Sequence, residues 1–189
     1  MGGDTRQMTD GEDQERLVLR AQAGDAQAFD ELLRRHEREL FRHILRLVHD
    51  EDRAYEVLQE SYIVIVRNIR KLRVRECFRP WVFGIATRMS LKSISKRAGS
   101  REELSEPRQE PAHGEPLPEE LVAAREELDA VQQRVLSLSA PLRSVMLLHF
   151  FEGLPLKDVA AALEVSLGTV KSRLAAGLAK VRAAEGGNR

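Results

Sequence analysis

From Asp25 onward, apolar side chains return every three or four positions and polar ones fill the gaps. Phe29, Leu32, Leu33, His36, Leu40, Ile44 and Leu47 or Val48 trace one stripe of a 3.6-residue period, which predicts an amphipathic helix. Asp25 is placed to cap its start, just after a helical stretch, "ERLVLRAQAGD", that ends in Gly24. A third helix is predicted in "DEDRAYEVLQESYIVIVRNIRKL", whose leading acids suit the positive helix end and whose Ala54, Val57, Leu58 and Tyr62 share a side. Its later part, "YIVIVRNI", is β-branched and would also suit a strand. No hairpin or partner strand flanks it, so helix is the better fit.

The stripe Phe78, Trp81, Val82, Ile85 and Met89 predicts a further helix, with Arg88, Lys92 and Lys96 every fourth residue on another side. By that period Trp81 belongs to the core. The segment "GSREELSEPRQEPAHGEPLPEE" has no apolar period and carries Pro107, Pro111, Pro116 and Pro118, so it is read as a tether. Beyond it come Leu121, Leu128, Val131 and Val135, then a helix started by Ser139 and Pro141 and closed by Gly153. Two short stripes end the chain: Leu156, Val159, Ala160 and Leu163, then Val170, Leu174, Leu178 and Val181. The expected architecture is all-α, with two small helical domains at 14–98 and 119–183, an acidic linker at 99–118, and tails at 1–13 and 184–189.

Charge changes this picture more than composition does. Thirty basic and thirty acidic residues cancel overall, yet they are segregated. Between Arg67 and Arg97 ten cations face Glu76 alone, a polyanion footprint, whereas the run from Arg101 to Asp129 is acidic. Charged residues at 32% and hydrophobic ones at 42% suit a globular chain, and no apolar run reaches the length of a membrane span. The polar, acidic start "MGGDTRQMTDGEDQER" carries no export signal, so a cytoplasmic location is expected. A single cysteine, Cys77, excludes an intrachain disulfide and a cysteine zinc site.

The turn "EVS" between the last two stripes gives the helix-turn-helix layout, in which the second helix is offered to the DNA major groove. Ser166 is placed to cap that helix, with Thr169 as a partly reciprocal partner. With Val170, Leu174 and Leu178 inward, Lys171, Ser172, Ala175 and Ala179 fall on or near the outer side. Lys171 and Arg173 suit phosphates; Ser166, Thr169 and Ser172 suit phosphates or base edges. Pattern alone leaves a second reading open, two core helices of an ordinary bundle with solvated cations.

Within that frame, "LSLSAPLRSVMLLHFFEGLPLKDVAAALEVSLGTVKSRL" resembles the fourth conserved region of the extracytoplasmic-function sigma factors, bacterial subunits that direct RNA polymerase to promoters. "AGDAQAFDELLRRH", "VLQESYIVIVRNI" and "FRPWVFGIATRMSLKSISKR" resemble the second region of the same family. The resemblance runs from about Glu15 to Arg97 and again from about Leu128 to Arg182. It implies core RNA polymerase, promoter DNA and an anti-sigma factor as partners, with Glu56, Gln59 and Glu60 facing the polymerase. It assigns Ser166, Thr169, Lys171, Ser172 and Arg173 to the minus-thirty-five element. Lys71, Arg73, Arg75, Arg79, Arg88, Lys92 and Lys96 fall to the minus-ten element and its melting. Strand opening needs cations to hold a separated backbone and a platform for an unstacked base, and the loop "RKLRVRECFRPW" has both residue types. By resemblance the linker would thread a basic polymerase channel. Glu164 departs from the family's frequent glycine; Ala175 and Ala176 replace larger or basic side chains. Arg53, Arg88 and Lys92 make the first region more basic than usual.

Enzyme chemistry finds little support. The five histidines are the only candidates for metal or acid-base work, and Glu39 with His43, one turn apart, lack a third ligand at suitable spacing. No nucleophile-elbow pattern or glycine-rich phosphate loop occurs. The expectation is no cofactor, no metal and no catalytic group. The rival readings are a free-standing helix-turn-helix regulator that binds duplex DNA without polymerase and, further off, a metal-dependent hydrolase.

Overall fold

A computed structural model describes residues 4–73, 78–99 and 130–186, with side chains over 13–73, 78–97 and 130–184. These residues are mostly helical, with turns between the helices and no strand among them. The tether at 99–118 lies outside them apart from its first residue, as do Leu121, Leu128, Arg75 and Cys77.

The first unit begins with α1 (Asp4–Gln22), which starts well inside the stretch expected as a tail. Asp13 on α1 pairs with Arg35 at 2.8 Å, tying it to the second helix. Gly24 takes φ +97° and turns the chain into α2 (Ala26–Val48), where Asp25 Oδ1 accepts the Ala28 N–H at 3.1 Å. Asp50 repeats the device for α3 (Glu51–Asn68), accepting from Arg53 N at 2.9 Å, with Glu51 and Asp52 in the positive first turn. A 3₁₀ turn, Ile69–Lys71, closes α3, and Gln22 Nε2 donates to the Ile69 carbonyl at 2.8 Å. "YIVIVRNI" is helical: Ile65 is buried, and a strand would have had no neighbour to take its backbone groups.

α2 is the axis of this unit. Leu32, Leu40, Ile44 and Leu47 are fully buried on it, each worth about 1.5–3 kcal/mol relative to exposure. Against it and α3 lies α4 (Phe78–Gly99). Phe78, Val82 and Ile85 are buried as expected, but Trp81 is only half-buried, its ring 5.9 Å from that of Phe78. Phe78 and Val82 fill the interior positions and leave the larger indole at the margin. More unexpectedly, every residue from Val82 to Thr87 is buried, because the second unit covers the other side of α4.

That second unit comprises helical residues 130–136 (α5), α6 (Ala140–Met146), α7 (Leu156–Leu163) and α8 (Leu167–Gly186). α6 runs into a π-helical turn, Leu147–Phe151, before Gly153 at φ +68° ends it. The wider turn keeps both Leu147 and Leu148 buried and leaves Phe150 exposed.

Candidate nucleic-acid interface

The helix pair α7–α8 is joined by a Schellman turn. Val165 N–H bonds to Ala160 O at 3.1 Å and Glu164 N–H to Ala161 O at 3.2 Å, with Glu164 left-handed at φ 55°, ψ 41°. A side chain in that conformation costs about 1–2 kcal/mol that glycine would not incur. Ser166 caps α8: its Oγ accepts the Thr169 N–H at 3.1 Å and lies 2.8 Å from Thr169 Oγ1. Val170 is buried with Leu174 and Leu178 packed beside it, so Lys171, Ser172, Ala175 and Ala179 face outward as predicted. Ser172 Oγ donates its proton to Thr169 O at 3.0 Å and keeps lone pairs for an outside donor. Lys171 is exposed and Arg173 half-buried, and neither has an ion-pair partner among the described residues. The short side chains of Ala175, Ala176 and Ala179, all exposed, leave the outer side of α8 low enough for close approach.

On the first unit, Lys92 and Lys96 are exposed on α4 and line a groove of about 360 Å³ against α3. Glu56 and Glu60 line the same groove, with Arg53 beside them. The carboxylates assigned to polymerase and the lysines assigned to DNA thus meet across one cleft, which sequence spacing did not reveal. Lys71 is exposed and donates to Asn68 Oδ1 at 3.0 Å; Arg73 is exposed. Gln59 is exposed on α3.

Arg79 and Arg88 are placed differently, both turned toward the second unit. Arg88 donates to the Ala162 carbonyl and pairs with Glu164 at 3.3 Å. Arg79 donates to the Glu152 carbonyl and approaches the Glu152 and Glu39 carboxylates at 3.4 Å each, with its guanidinium 4.8 Å from the centre of the Phe83 ring.

Comparison with known proteins fits this arrangement. The sigma-70 region 2 model matches residues 32–99 and the sigma-70 region 4 model residues 128–181. The RNA polymerase sigma-H factor of Pseudomonas aeruginosa is 31% identical, over 86% of this chain and 89% of its own length. The chain belongs to the sigma-70 family. It is also similar to the ECF RNA polymerase sigma factor SigW of Bacillus subtilis, 26% identical over 87% of this chain and 92% of that one. Two solved structures share the fold at a TM-score of 0.67. CnrH in complex with the cytosolic domain of CnrY is 21% identical, covering 94% of this chain and 99% of that one. The sigma factor RpoE in complex with the anti-sigma factor NepR from Bartonella quintana is 19% identical, covering 85% and 98%.

In this sigma factor the region 2 match holds the α3 carboxylates and the α4 cations, and the region 4 match holds α7, the turn and all but the last five residues of α8. Residue patterns missed an exposed apolar face on α3: Tyr55, Ile63 and Val66 are each about half exposed, with Gln59 between them. The signal was available, since "YIVIVRNI" has more apolar residues than one helix side can bury.

Among the described histidines, His36 and His43 are buried and His49 and His149 half-buried. His43 is fully buried, with Nε2 2.8 Å from Thr87 Oγ1 and Nδ1 3.3 Å from Glu152 Oε1. Glu39 is engaged with Arg79, and no cluster of three metal-ligating side chains occurs among the described residues. No helix of the described residues is long and apolar enough to cross a membrane.

Proposed function

We propose that this sigma factor is a promoter-specificity subunit that docks on core RNA polymerase through α3, reads the minus-thirty-five element with α8, and holds the melted minus-ten strand with the cations of α4 and the loop before it. Tyr55, Gln59, Ile63 and Val66 supply the docking face, and Glu56 and Glu60 orient it by pairing with basic groups on the partner. Ser166, Thr169, Lys171, Ser172 and Arg173 contact duplex DNA. Lys71, Arg73, Arg75, Arg79, Arg88, Lys92 and Lys96 contact the opened strand, which shifts the equilibrium toward melting because it is bound more tightly than the closed duplex. The protein acts in the cytoplasm, supplies no catalytic group, and takes an anti-sigma factor as a regulatory partner.

The observation that carries this reading is α8: a helix with a capped, exposed N-terminal end, an unpaired lysine and a low alanine-lined outer face, set behind a Schellman turn. Retention on immobilised core polymerase tests the docking half. The wild-type chain is expected to be retained and Ile63→Glu to lose most of that retention while keeping its helical content. Tight duplex binding with no retention of the wild type would instead favour a regulator that works without polymerase.

A further inference from the structure

The C-terminal end of α2 is held from the other unit. His49 caps it in the left-handed conformation, φ 58°, with its N–H on Leu45 O at 2.9 Å, and its half-buried ring lies against Arg143 of α6. Arg143 is 8% exposed and has no carboxylate partner among the described residues. Its Nη2 donates to Leu47 O at 2.6 Å, and its Nη1 donates to Leu136 O at 2.6 Å and to His49 Nε2. A guanidinium has donors only, so His49 Nε2 accepts, with a lone pair that exists only while that nitrogen carries no proton. One buried cation thus gathers two acceptors of the first unit, a helix-end carbonyl and a neutral imidazole. The charges around the ring offer nothing to a protonated histidine. Arg143 is the one charged residue of α6 and Arg134 that of α5. On the other side Arg46 lies one turn back along α2, the Asp50 carboxylate is committed to the Arg53 N–H, and Glu51 and Asp52 are exposed. No carboxylate pairs with the His49 ring among the described residues.

We propose that the contact of His49 with Arg143 is a proton-sensitive joint: protonation of His49 detaches α6 from the end of α2 and lets the two units part. The inference does not depend on which surfaces of the chain meet DNA or polymerase. A proton on Nε2 removes the acceptor and sets an imidazolium against a guanidinium with no anion between them. In the joined form the ring is held below the ordinary histidine pKa, by burial first and by Arg143 second, with the Leu136 carbonyl acting more weakly the other way. Once the units part, the ring reaches water and returns to the ordinary value of about 6.5. The parted form therefore binds the proton more tightly. Its ratio to the joined form is constant above about pH 6.5 and rises as pH falls below that value, by at most about tenfold per pH unit for one proton. The remaining contacts between the units set the ratio at neutral pH and leave its dependence on this proton unchanged.

Single-molecule energy transfer tests this by counting the two forms. Dyes are carried on Leu19→Cys in α1 and Lys180→Cys in α8, both exposed positions, with Cys77→Ser removing the one native thiol. Between pH 7.5 and pH 5.5 the ratio of parted to joined molecules is expected to rise several-fold, to a limit of about tenfold, with helical content by circular dichroism unchanged. His49→Gln keeps an oxygen that accepts from Arg143 and takes up no proton, so its ratio is expected to stay constant over the same interval. An equal ratio at both pH values with His49 present, an equal rise in His49→Gln, or a rise accompanied by loss of helix would overturn the joint. Titration of the His49 ring by NMR, in the wild type and in Arg143→Met, is a second measurement that stands even where the glutamine variant does not fold. The wild-type midpoint is expected below about 6.5 and is expected to rise when the guanidinium is removed. A wild-type midpoint at or above that value, or one unmoved by Arg143→Met, would also overturn the proposal.

Discussion

At single positions the sequence was most legible where one side chain serves its own backbone. Asp25 and Ser166 were readable as caps because a short oxygen-bearing side chain before an apolar stripe has one local use, and both accept the expected N–H. Glu164 was readable as a strained substitute for glycine, and it is left-handed. Glu164→Gly is expected to raise stability by about 1 kcal/mol, since the exposed pair with Arg88 contributes little; an unchanged or lower midpoint in urea would contradict this. Lys171→Ala should weaken duplex binding by a similar factor on all sequences and reduce the salt slope by about one, as read from titrations at several salt concentrations. The same cation count with a changed sequence preference would mean that Lys171 reads bases. Arg143, Arg79 and Glu152 could not be read this way, because each has partners far along the chain: backbone carbonyls for the two arginines, and the His43 and Arg79 side chains for the Glu152 carboxylate.

Elements were legible when their burial was one-sided. α2 shows one apolar stripe and has one buried side, so its existence, cap and core residues all followed from spacing. α4 defeats that logic: Gly84, which leaves no hydrophobic signal, nearly touches Ala162 of α7, a helix that lies beyond the acidic tether. α3 failed in the opposite direction, through apolar residues surplus to its core. Packing between elements also predicts a pH dependence. His36, against Phe78, and His49, beside Arg143, are both held below the ordinary histidine pKa, chiefly by burial, with the cationic Arg143 adding to the effect at His49. Folding therefore favours their neutral forms. That stability is fully present above about pH 6.5 and is lost as pH falls through and below that value, where the unfolded chain takes up protons first. The urea midpoint is expected to be lower at pH 5.5 than at pH 7.5, and His49→Gln should remove part of the difference; a flat profile would contradict the assignment.

For the whole molecule, the two-unit helical plan followed from the alternation of amphipathic stretches with a proline-rich acidic interval, while the way the units meet did not. Segregated charge located the cationic surface of α4, and the structure then showed Arg79 and Arg88 diverted into the second unit while Lys92 and Lys96 remain exposed. The exposed lysines of α4 and the outer side of α8 thus lie on two different units, the arrangement that the proposed contact with two separated stretches of one promoter calls for. The most direct test of that claim is permanganate footprinting of thymines on a set of promoter fragments with core RNA polymerase, with and without the chain. The account predicts reactive thymines in a minus-ten region, with one defined start site, only when the chain is present. An identical footprint with and without it would contradict the account.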